Sequence, residues 1–377
     1  MSGVGAGAAA TLDQGEAFAR IRLLRSPNVG PVSYRQLVAR FGSAAAALDA
    51  LPDLVGRRGA AYRPASEARV ADEIAAVRKA GARFLFDDSA DYPALLRESE
   101  GAPPILIARG QAELAARPAV AVVGARNASA AAVRLAREFG GALAEAGYAV
   151  VSGLARGIDG AAHQGALAQG MDGGGTIGVI ASGIDLAYPP EHAALQEQIA
   201  NEGLLLAEQP AGTEPLARHF PARNRIIAGI AAGTLVVEAA WKSGSLITAR
   251  LAGEMGREVM AIPGSPLDSR SHGCNQLIRD GAVLCQRPED VIELLEGFTG
   301  QPRSTFREAA PTFALAGALE PADPADIASL LTTAPVSVDE LIRQCGHSAA
   351  AVQLALLELE LAGRLVRHAA GRVSLAG

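Results

Sequence analysis

Short apolar runs alternate with helical segments between residues 118 and 292, and this alternation constrains the fold more than any other feature of the sequence. Six runs carry it: residues 119–124, 148–153, 176–183, 204–208, 234–239 and 258–264. Continuously apolar strands separated by helices are typical of a parallel sheet that is covered on both faces. The pattern therefore predicts an α/β fold with a Rossmann-like parallel sheet.

The chain has 377 residues, more than a single hydrophobic core usually serves, so flanking domains are expected. Helical periodicity around a Pro-Asn-Val-Gly-Pro turn predicts a small N-terminal domain of the SAM or helix-hairpin-helix type. Three later helical patterns followed by RLVRHAAGRVSL predict a winged-helix domain with a terminal β-hairpin. The predicted divisions are a flexible tail over 1–11, the helical domain over 12–100, the Rossmann-like domain over 101–295, a linker over 296–324 and the winged-helix domain over 325–377.

Both flanking domains contain features with alternative interpretations. The amides of the Asn28–Gly30 turn could face a DNA phosphate, or the turn could simply pack two helices together. In the winged-helix domain, Ser337 is expected to cap the second helix, with Glu340 completing a capping box. The third helix carries few charges. It could therefore contact another protein or have a structural role, as an alternative to recognising bases in a DNA groove. Its apolar residues are Val352, Leu354, Leu356, Leu357 and Leu361.

Composition excludes several classes of protein. No apolar stretch reaches the roughly 18 residues that a membrane span requires, and the opening MSGVGAGAAA lacks the basic and apolar regions of a secretory signal. We therefore expect a cytoplasmic protein without a membrane partner. The 3 cysteines form no CxxC pair, which argues against a disulfide framework and a structural zinc site. The net charge of -6 gives no global attraction for nucleic acid, so polyanion binding must depend on local arginines.

Ligands of open α/β sheets bind beyond the carboxyl ends of the strands, so the turns at those ends are the candidate sites. The turn from Gly124 to Ser129 has Arg126 where a dinucleotide fingerprint requires its second glycine. It instead presents a guanidinium at a helix N-terminus, where free amides and the helix dipole favour an anion such as phosphate. Neither lysine of the chain directly follows a glycine, which excludes a Walker A loop and ATP hydrolysis of that type.

The second turn, SGLARGIDGAAH, provides Ser152, Gly153 and Arg156. Asp159 and His163 follow four residues apart on one helix face and could form an acid/base pair. The simpler alternative is structural. In that case Asp159 caps free amides at the helix start, and His163 pairs with it.

The third turn, HFPARNRIIAGI, lies before an apolar helical run. Pro221 suits the first helical position, so Arg223, Asn224 and Arg225 are expected in the exposed first turn. There the amides, the dipole and two guanidiniums would converge on an anion. Phe220 could offer a base a stacking surface, although an aromatic in such a place is more often part of a core.

The fourth turn is the loop Lys242, Ser243, Gly244 and Ser245, which opens a helix. Its hydroxyls and backbone amides suit a phosphate, with Lys242 as a point charge. One mononucleotide needs one or two such turns, whereas a chain of phosphates needs a row of them. Four turns on one sheet edge therefore favour a nucleic-acid strand as the ligand.

These motifs together resemble the DNA processing protein A family, also called DprA or Smf. The matching segments are VAVVGARNAS, VVSGLARGIDGAAH, GVIASGIDLAYPPEH, FPARNRIIAG, VVEAAWKSGSLITARLA and IPGSPLDSRSHGCNQLIRDGA, in the family's order. The resemblance implies a non-enzymatic protein without a cofactor or metal that binds and protects incoming single-stranded DNA. It also implies a homodimer formed through the Rossmann-like domain and loading of the RecA recombinase during natural transformation.

The resemblance also implies DNA-backbone contacts through the arginine of the first turn, the lysine of the fourth and both arginines of the RNR run, with the preceding aromatic meeting a base. Some relatives have a lysine shortly before this aromatic, where this chain has Ala217 followed by Arg218. Together with the polar groups of the four turns, the candidate DNA-binding residues are Gly124, Arg126, Ser129, Ser152, Gly153, Arg156, Phe220, Arg223, Asn224, Arg225, Lys242, Ser243, Gly244 and Ser245.

Two other functions remain as alternatives. A nucleotide phosphoribohydrolase also uses a Rossmann-like sheet, but its PGGxGTxxE signature is absent from KSGSLITAR. Glu238 could act as a base in such an enzyme or could bind amides at a helix start. The chain could also be an adaptor for which DNA contact is incidental. Phosphate and stacking contacts do not identify bases, so we expect salt-sensitive, sequence-tolerant binding that prefers single strands.

Overall fold

The computed structural model describes residues 12–56, 62–170, 173–296, 323–368 and 371–376. The predicted tail over 1–11 and nearly all of the predicted linker over 296–324 lie outside the described residues. The described residues of Met1–Asp72 and Ala309–Gly377 form one compact unit, and those of Glu73–Glu308 form the other. In the part of the chain that is described, no helix is long and apolar enough to cross a bilayer.

Helices and strands alternate through most of the chain. The helices are α1 Gln14–Leu24, α2 Pro31–Phe41, α3 Ala44–Gly56, α4 Glu67–Lys79, α5 Ala94–Arg97, α6 Ala130–Glu145, α7 Ile158–Leu167, α8 Ala193–Glu202, α9 His219–Ile230, α10 Ser245–Glu254, α11 His272–Arg279, α12 Pro288–Glu296, α13 Pro324–Ser329, α14 Val338–Cys345 and α15 Ala349–Leu361. The strands are β1 Arg83–Phe86, β2 Ile105–Gly110, β3 Ala119–Val123, β4 Ala149–Ser152, β5 Thr176–Ile180, β6 Leu204–Ala207, β7 Gly233–Val236, β8 Glu258–Ala261, β9 Val283–Leu284, β10 Val336–Ser337, β11 Leu365–His368 and β12 Arg372–Leu375.

The second unit is built on one sheet with the strand order β1-β2-β6-β5-β4-β3-β7-β8-β9. The pairs from β6 to β9 are all parallel, which confirms the predicted Rossmann-like sheet. Alternate residues of β3 enter two different cores, Val120 on one face and Ala121 on the other, because helices cover both faces. From β3 the chain adds strands β4 and β5 on one side and later adds β7 and β8 on the other, so the strand order reverses at β3. Such a switch point opens a crevice at the carboxyl ends of the strands.

The helical prediction for residues 12–100 is wrong at Arg83–Phe86, which forms β1. This strand pairs antiparallel with β2, and β2 pairs antiparallel with β6. The sequence RFLF is too short to show a helical or strand period, and its aromatic residues suit a partly buried strand. Leu85 faces the core of the sheet and is buried.

The first unit contains α1–α3 and a winged-helix fold of α13–α15 with the sheet β10-β12-β11. The predicted terminal hairpin is confirmed, because β11 and β12 pair antiparallel. Ser337 caps α14 as predicted, and its hydroxyl accepts a hydrogen bond from the Glu340 amide at 3.2 Å. The second half of the predicted capping box is wrong, because the Glu340 carboxylate instead binds Arg343 and Gln344.

Helix α15 contributes to two hydrophobic cores within this unit. Val352 and Leu356 pack inside the winged-helix fold. Leu357 and Leu361 pack into the core of α1–α3, around Leu37. Helix α15, for which the sequence left a structural role open, is therefore a structural helix that is buried on two sides. In this conformation its apolar face is not available to a DNA groove.

The Asn28–Gly30 turn packs helices, and its Val29 and Gly30 amides are hydrogen-bonded within the protein. Val29 belongs to the α1–α3 core, and the Gly30 amide donates to the Ser33 hydroxyl at 2.8 Å. The Asn28 side chain donates to the carbonyl oxygen of Leu361 at 2.9 Å, which satisfies an unpaired group at the end of α15. Of the two interpretations of this turn, helix packing agrees with the structure.

Replacing Leu357 with alanine is expected to lower the free energy of unfolding of the first unit by about 2–5 kcal/mol, because the vacated volume lies between two cores. Urea denaturation, together with hydrogen exchange of α1–α3, measures the loss. Leu354→Ala is the matched control, since Leu354 lies on the same helix and is only half-buried. Equal losses for the two variants would contradict the assignment of α15 to the N-terminal core.

Candidate nucleic-acid interface

Two adjoining cavities occupy the crevice at the switch point. The larger, of about 590 Å³, is lined by the loops after β3 and β7 and by the start of α9. The smaller, of about 300 Å³, is lined by the loops after β3, β4 and β5. Both cavities share five lining residues, namely Arg126, Asn127, Ala155, Phe220 and Arg223. The crevice is therefore one continuous cleft with two compartments.

An aromatic pair and an arginine stand at the boundary between the compartments. The guanidinium carbon of Arg126 lies 5.0 Å from the centre of the Phe220 ring, within the range of a cation–π contact. The Tyr188 ring lies 5.6 Å from Phe220 and is tilted by 57°. Phe220 is only half-buried, so it is a wall of the cleft and not a core residue. Arg126 is exposed and lines both compartments.

The N-terminus of α10 lines the larger compartment. Gly244 occupies the capping position without a side-chain cap, and the hydroxyls of Ser243 and Ser245 lie 2.8 Å apart. Lys242 is exposed beside them. Neither Lys242 nor Arg126 has a carboxylate within salt-bridge distance among the described residues. The helix dipole, two hydroxyls and two cations without a salt-bridge partner among the described residues make this end of the cleft suited to a phosphate.

The N-terminus of α6 is closed to an external anion because the protein supplies its own. Glu238 is buried, and its carboxylate accepts the Ser129 amide at 2.9 Å and the Ser129 hydroxyl at 2.7 Å. The Ser129 hydroxyl also accepts the Ala132 amide and caps the helix. The prediction that Ser129 binds DNA is therefore not supported by its position. For Glu238, the helix-start interpretation agrees with the structure.

The loop before α7 also contains an internal anion. The Asp159 carboxylate accepts the amides of Gly153 at 3.1 Å and Ala155 at 3.3 Å. Burial raises the pKa of Asp159, although the nearby Arg223 guanidinium and these two amides act in the opposite direction. Asp159 thus supports the loop that forms the floor of the smaller compartment.

His163 does not pair with Asp159, so both the acid/base pair and the predicted stabilising contact between them are wrong. Its Nδ1 lies 2.7 Å from the Thr176 hydroxyl, which itself donates to the Val150 carbonyl at 2.7 Å. Nε2 is buried and has no hydrogen-bond partner among the described residues. Burial lowers the pKa of His163 to about 3, so the imidazole is neutral at physiological pH.

Helix α9 begins at His219, two residues before the predicted start at Pro221. Proline is tolerated anywhere in a first turn, because the amides there have no helical partner. The earlier start moves Arg223 into the second turn, where it is buried and not exposed as predicted. Its guanidinium donates to the Val179 carbonyl, and burial lowers the pKa of Arg223 to about 10, which leaves it charged at neutral pH.

The glycine at position 153 makes room for this buried arginine. A Cβ atom at Gly153 would lie 2.1 Å from Nη1 of Arg223. Gly124 likewise permits close packing, since its Cβ would lie 2.5 Å from Cγ1 of Ile158. The requirement for glycine at both positions is explained by contacts within the protein. Arg223 still lines both compartments and contributes positive charge beneath them.

The structure does not bring every predicted residue into the cleft. The Ser152 hydroxyl is fully buried and donates to the Val122 carbonyl at 2.6 Å. Arg225 points away from both compartments and binds the Glu208 carboxylate and the Gly101 carbonyl. Side-chain contacts of Ser152 and Arg225 with DNA are therefore not supported. Arg156 lines the smaller compartment, although it is paired with Glu191.

Comparison with known families agrees with this geometry. Residues 83–296 match the family model described as DNA recombination-mediator protein A. Residues 14–76 match the DprA-like N-terminal HHH domain, and residues 309–371 match the DprA winged helix domain. The chain belongs to the DNA recombination-mediator protein A family. The predicted family and fold class are thereby confirmed, with the helix-hairpin-helix form of the N-terminal domain.

Relatives within this family cover different shares of the chain. The putative DNA processing protein DprA of Mycobacterium tuberculosis H37Rv is 36% identical over 331 residues, which cover 82% of this chain and 83% of the relative. Protein Smf of Synechocystis is 42% identical over 206 residues, or 54% of this chain. That match spans about half of the relative's length, 51%.

Two solved structures of the family resemble this one. DNA processing protein A from Streptococcus pneumoniae matches with a TM-score of 0.61 and 34% identity, covering 75% of this chain and 98% of that one. The Helicobacter pylori protein, solved for its single-stranded DNA binding mode, matches with a TM-score of 0.51 and 28% identity. That match covers 57% of this chain and 95% of the H. pylori chain.

Several residues lining the cleft were missed by sequence reasoning. Tyr188 and Ser182 line the smaller compartment, and Arg270 lines the larger one. Arg270 comes from the loop after β8, which contains no glycine-rich helix start of the kind that marked the other turns. The family's matching segments include all three residues, but their residue types alone gave no reason to separate them from packing positions.

Proposed function

We propose that this chain binds single-stranded DNA in the cleft at the switch point and acts as a recombination mediator that loads RecA during natural transformation. One observation carries the proposal: two cations without a salt-bridge partner among the described residues and the N-terminus of α10 share a cleft with an aromatic pair. A single strand presents phosphates and unstacked bases together, and such proteins bind it with positive grooves and aromatic platforms. The H. pylori relative, described for its single-stranded DNA binding, supports the same ligand.

In the proposed complex, phosphates lie at the α10 N-terminus, held by Lys242, the Ser243 and Ser245 hydroxyls and the Gly244 amide, with Arg126 contacting a neighbouring phosphate. Phe220, with Tyr188 beside it, meets a base. Asn224 and Gly153 line the path, and the buried Arg223 supplies charge without leaving its pocket. Among the predicted cationic residues that the structure describes, only Arg126 and Lys242 are exposed and lack a carboxylate partner. We therefore expect them to contribute most of the affinity for DNA.

We further propose that the protein works without catalysis. The acidic groups that a phosphoribohydrolase scheme would use are already engaged, Glu238 with Ser129 and Asp159 with the loop amides. His163 is buried and neutral, away from the cleft lining. Incubation with nucleoside monophosphates should therefore release no free base above the rate without protein. Release at enzymatic rates would favour the hydrolase alternative.

The proposed partners are RecA and a second copy of the chain, joined through the Rossmann-like domain. An adaptor function would predict that removal of residues 316–377 abolishes activity while DNA affinity persists. Such a truncation also removes Leu357 and Leu361 from the N-terminal core, so its effect would be ambiguous. Val366→Asp is the better variant for this test, because Val366 is an exposed strand residue of the winged-helix fold. An adaptor function predicts that this variant loses activity while its DNA affinity persists.

The test of the proposed function is fluorescence-anisotropy binding of a labelled poly-dT oligonucleotide at two salt concentrations, with unlabelled single- and double-stranded competitors. We expect tight binding that single strands displace and duplexes do not. The logarithm of the affinity should fall with the logarithm of the salt concentration with a slope of about -0.7 for each phosphate contact. Salt-independent affinity, or equal competition by duplex DNA, would contradict the proposal.

A further inference from the structure

Trp241 is the only tryptophan of the chain, and its side chain is 61% exposed at the rim of the cleft. Its two sequence neighbours, Ala240 and Lys242, both line the larger compartment. Leaving most of a large indole in water forfeits hydrophobic stabilisation, so an exposed tryptophan beside a binding cleft indicates a surface for a ligand. Trp241 lies within the matching segment VVEAAWKSGSLITARLA, but neither the resemblance nor the four anion-suited turns assigned it a role.

The backbone around Trp241 is fixed. The Ser243 amide donates to the Ala240 carbonyl at 3.0 Å, which closes a turn with Trp241 and Lys242 at its two central positions. The Gly273 amide of α11 donates to the Ala239 carbonyl at 2.8 Å. A Cβ atom at Gly273 would lie 2.9 Å from the Ala240 carbonyl oxygen, so the turn is packed directly on α11. The indole is therefore displayed on a rigid support.

From this arrangement we infer that Trp241 stacks on a base of the bound strand, one step beyond the phosphate held at the α10 N-terminus. The inference rests on the proposed function. Adjacent residues at the tip of one turn offer a cation and an indole, which match the phosphate and the base of a nucleotide. The cleft thereby has two aromatic stacking sites, Phe220 beside Arg126 and Trp241 beside Lys242. The strand is therefore held through its bases on both sides of the larger compartment.

Because the chain has one tryptophan, its intrinsic fluorescence reports this contact directly. Titration of the wild type with a poly-dT oligonucleotide is expected to change the emission of Trp241 in step with the anisotropy of a labelled strand. Trp241→Ala should weaken poly-dT binding about five- to 100-fold, within the range of one base-stacking contact. Trp241→Phe should retain most of the affinity, and neither variant should change the salt slope, since no charge is removed.

An oligonucleotide with abasic sites provides the matched ligand, because it keeps the phosphates and lacks the bases. The difference between wild type and Trp241→Ala should disappear on this strand. Poly-dT binding that leaves the fluorescence and the Trp241→Ala affinity unchanged would overturn the inference while the proposed function stands. Emission that responds to protein concentration and not to DNA would overturn it in favour of a contact between two copies of the chain. Failure of the wild type to bind any single strand would refute the proposed function, and the inference with it.

Discussion

A variant carrying both Arg126→Ala and Lys242→Ala is expected to bind poly-dT about 100-fold more weakly than the wild type. Each side chain is exposed, has no carboxylate partner among the described residues, and lines the larger compartment. A hydrogen bond to a charged group contributes about 1.5–3 kcal/mol, so two lost phosphate contacts amount to about 3–6 kcal/mol; 100-fold, or about 2.7 kcal/mol, lies just below this range because both side chains are exposed to solvent. The salt slope should also decrease in magnitude by about 1.4, since each contact accounts for about 0.7.

The matched control is Arg83→Ala with Arg250→Ala, which changes the net charge by the same amount. Both arginines are exposed and paired with carboxylates, Asp91 and Glu254, and neither lines the cleft. This pair should leave the affinity within about twofold of the wild type, because neither side chain lines the cleft and exposed charges are screened at physiological ionic strength. Equal losses in the two double variants would mean that overall charge, and not the cleft, determines binding.

Acid is expected to destabilise the Rossmann-like unit through His163. Burial lowers the pKa of this imidazole from 6.5 to about 3 in the folded protein. Between these two values the unfolded chain binds a proton that the folded chain does not, so stability falls as the pH decreases below 6.5. The expected loss is about 1.7 kcal/mol between pH 6.5 and pH 5, because the slope rises from about 0.7 kcal/mol per pH unit at pH 6.5 to nearly 1.4 at pH 5.

His163→Gln separates this effect from the titration of carboxylates. The variant should be less stable at neutral pH, because it loses the fit against Thr176, but its stability should decline less steeply between pH 6.5 and pH 5. His347→Gln is the control, since His347 is exposed and its replacement should leave the profile of the wild type unchanged. Urea denaturation at several pH values gives the slopes. Parallel profiles for the wild type and His163→Gln would show that the imidazole is not the acid-sensitive group.

The central sheet could be predicted from the sequence because its strands are buried on both faces. A segment such as 119–123 has five apolar residues in succession, which only a covered parallel strand accommodates readily. The switch-point cleft followed from the same pattern, since ligands bind at the carboxyl ends of such strands. The strand Arg83–Phe86 could not be predicted in this way, because an antiparallel edge strand of four residues has no distinctive period.

Whether an individual turn can bind a ligand was harder to predict, because residues distant in sequence determine which groups of the turn are already bound. The local sequence around Ser129 suits a phosphate. In the structure the carboxylate of Glu238, 109 positions later, accepts both the Ser129 amide and the Ser129 hydroxyl. Arg225 is directed away from the cleft by Glu208. Local sequence indicates that a helix N-terminus favours an anion. Whether that anion is a ligand or a carboxylate of the protein depends on tertiary contacts.

Helix α15 completes the core of helices α1–α3, and this has a consequence for the order in which the chain can fold during synthesis. Leu357 and Leu361 are more than 300 residues downstream of Leu37, whose core they help to fill. The N-terminal helices therefore leave the ribosome first but remain without part of their core until the last segment has been translated. The Rossmann-like unit, encoded between them, can fold earlier as a domain on its own. We expect a nascent chain stalled before residue 349 to expose apolar surface at its N-terminal end and to be a target for chaperones.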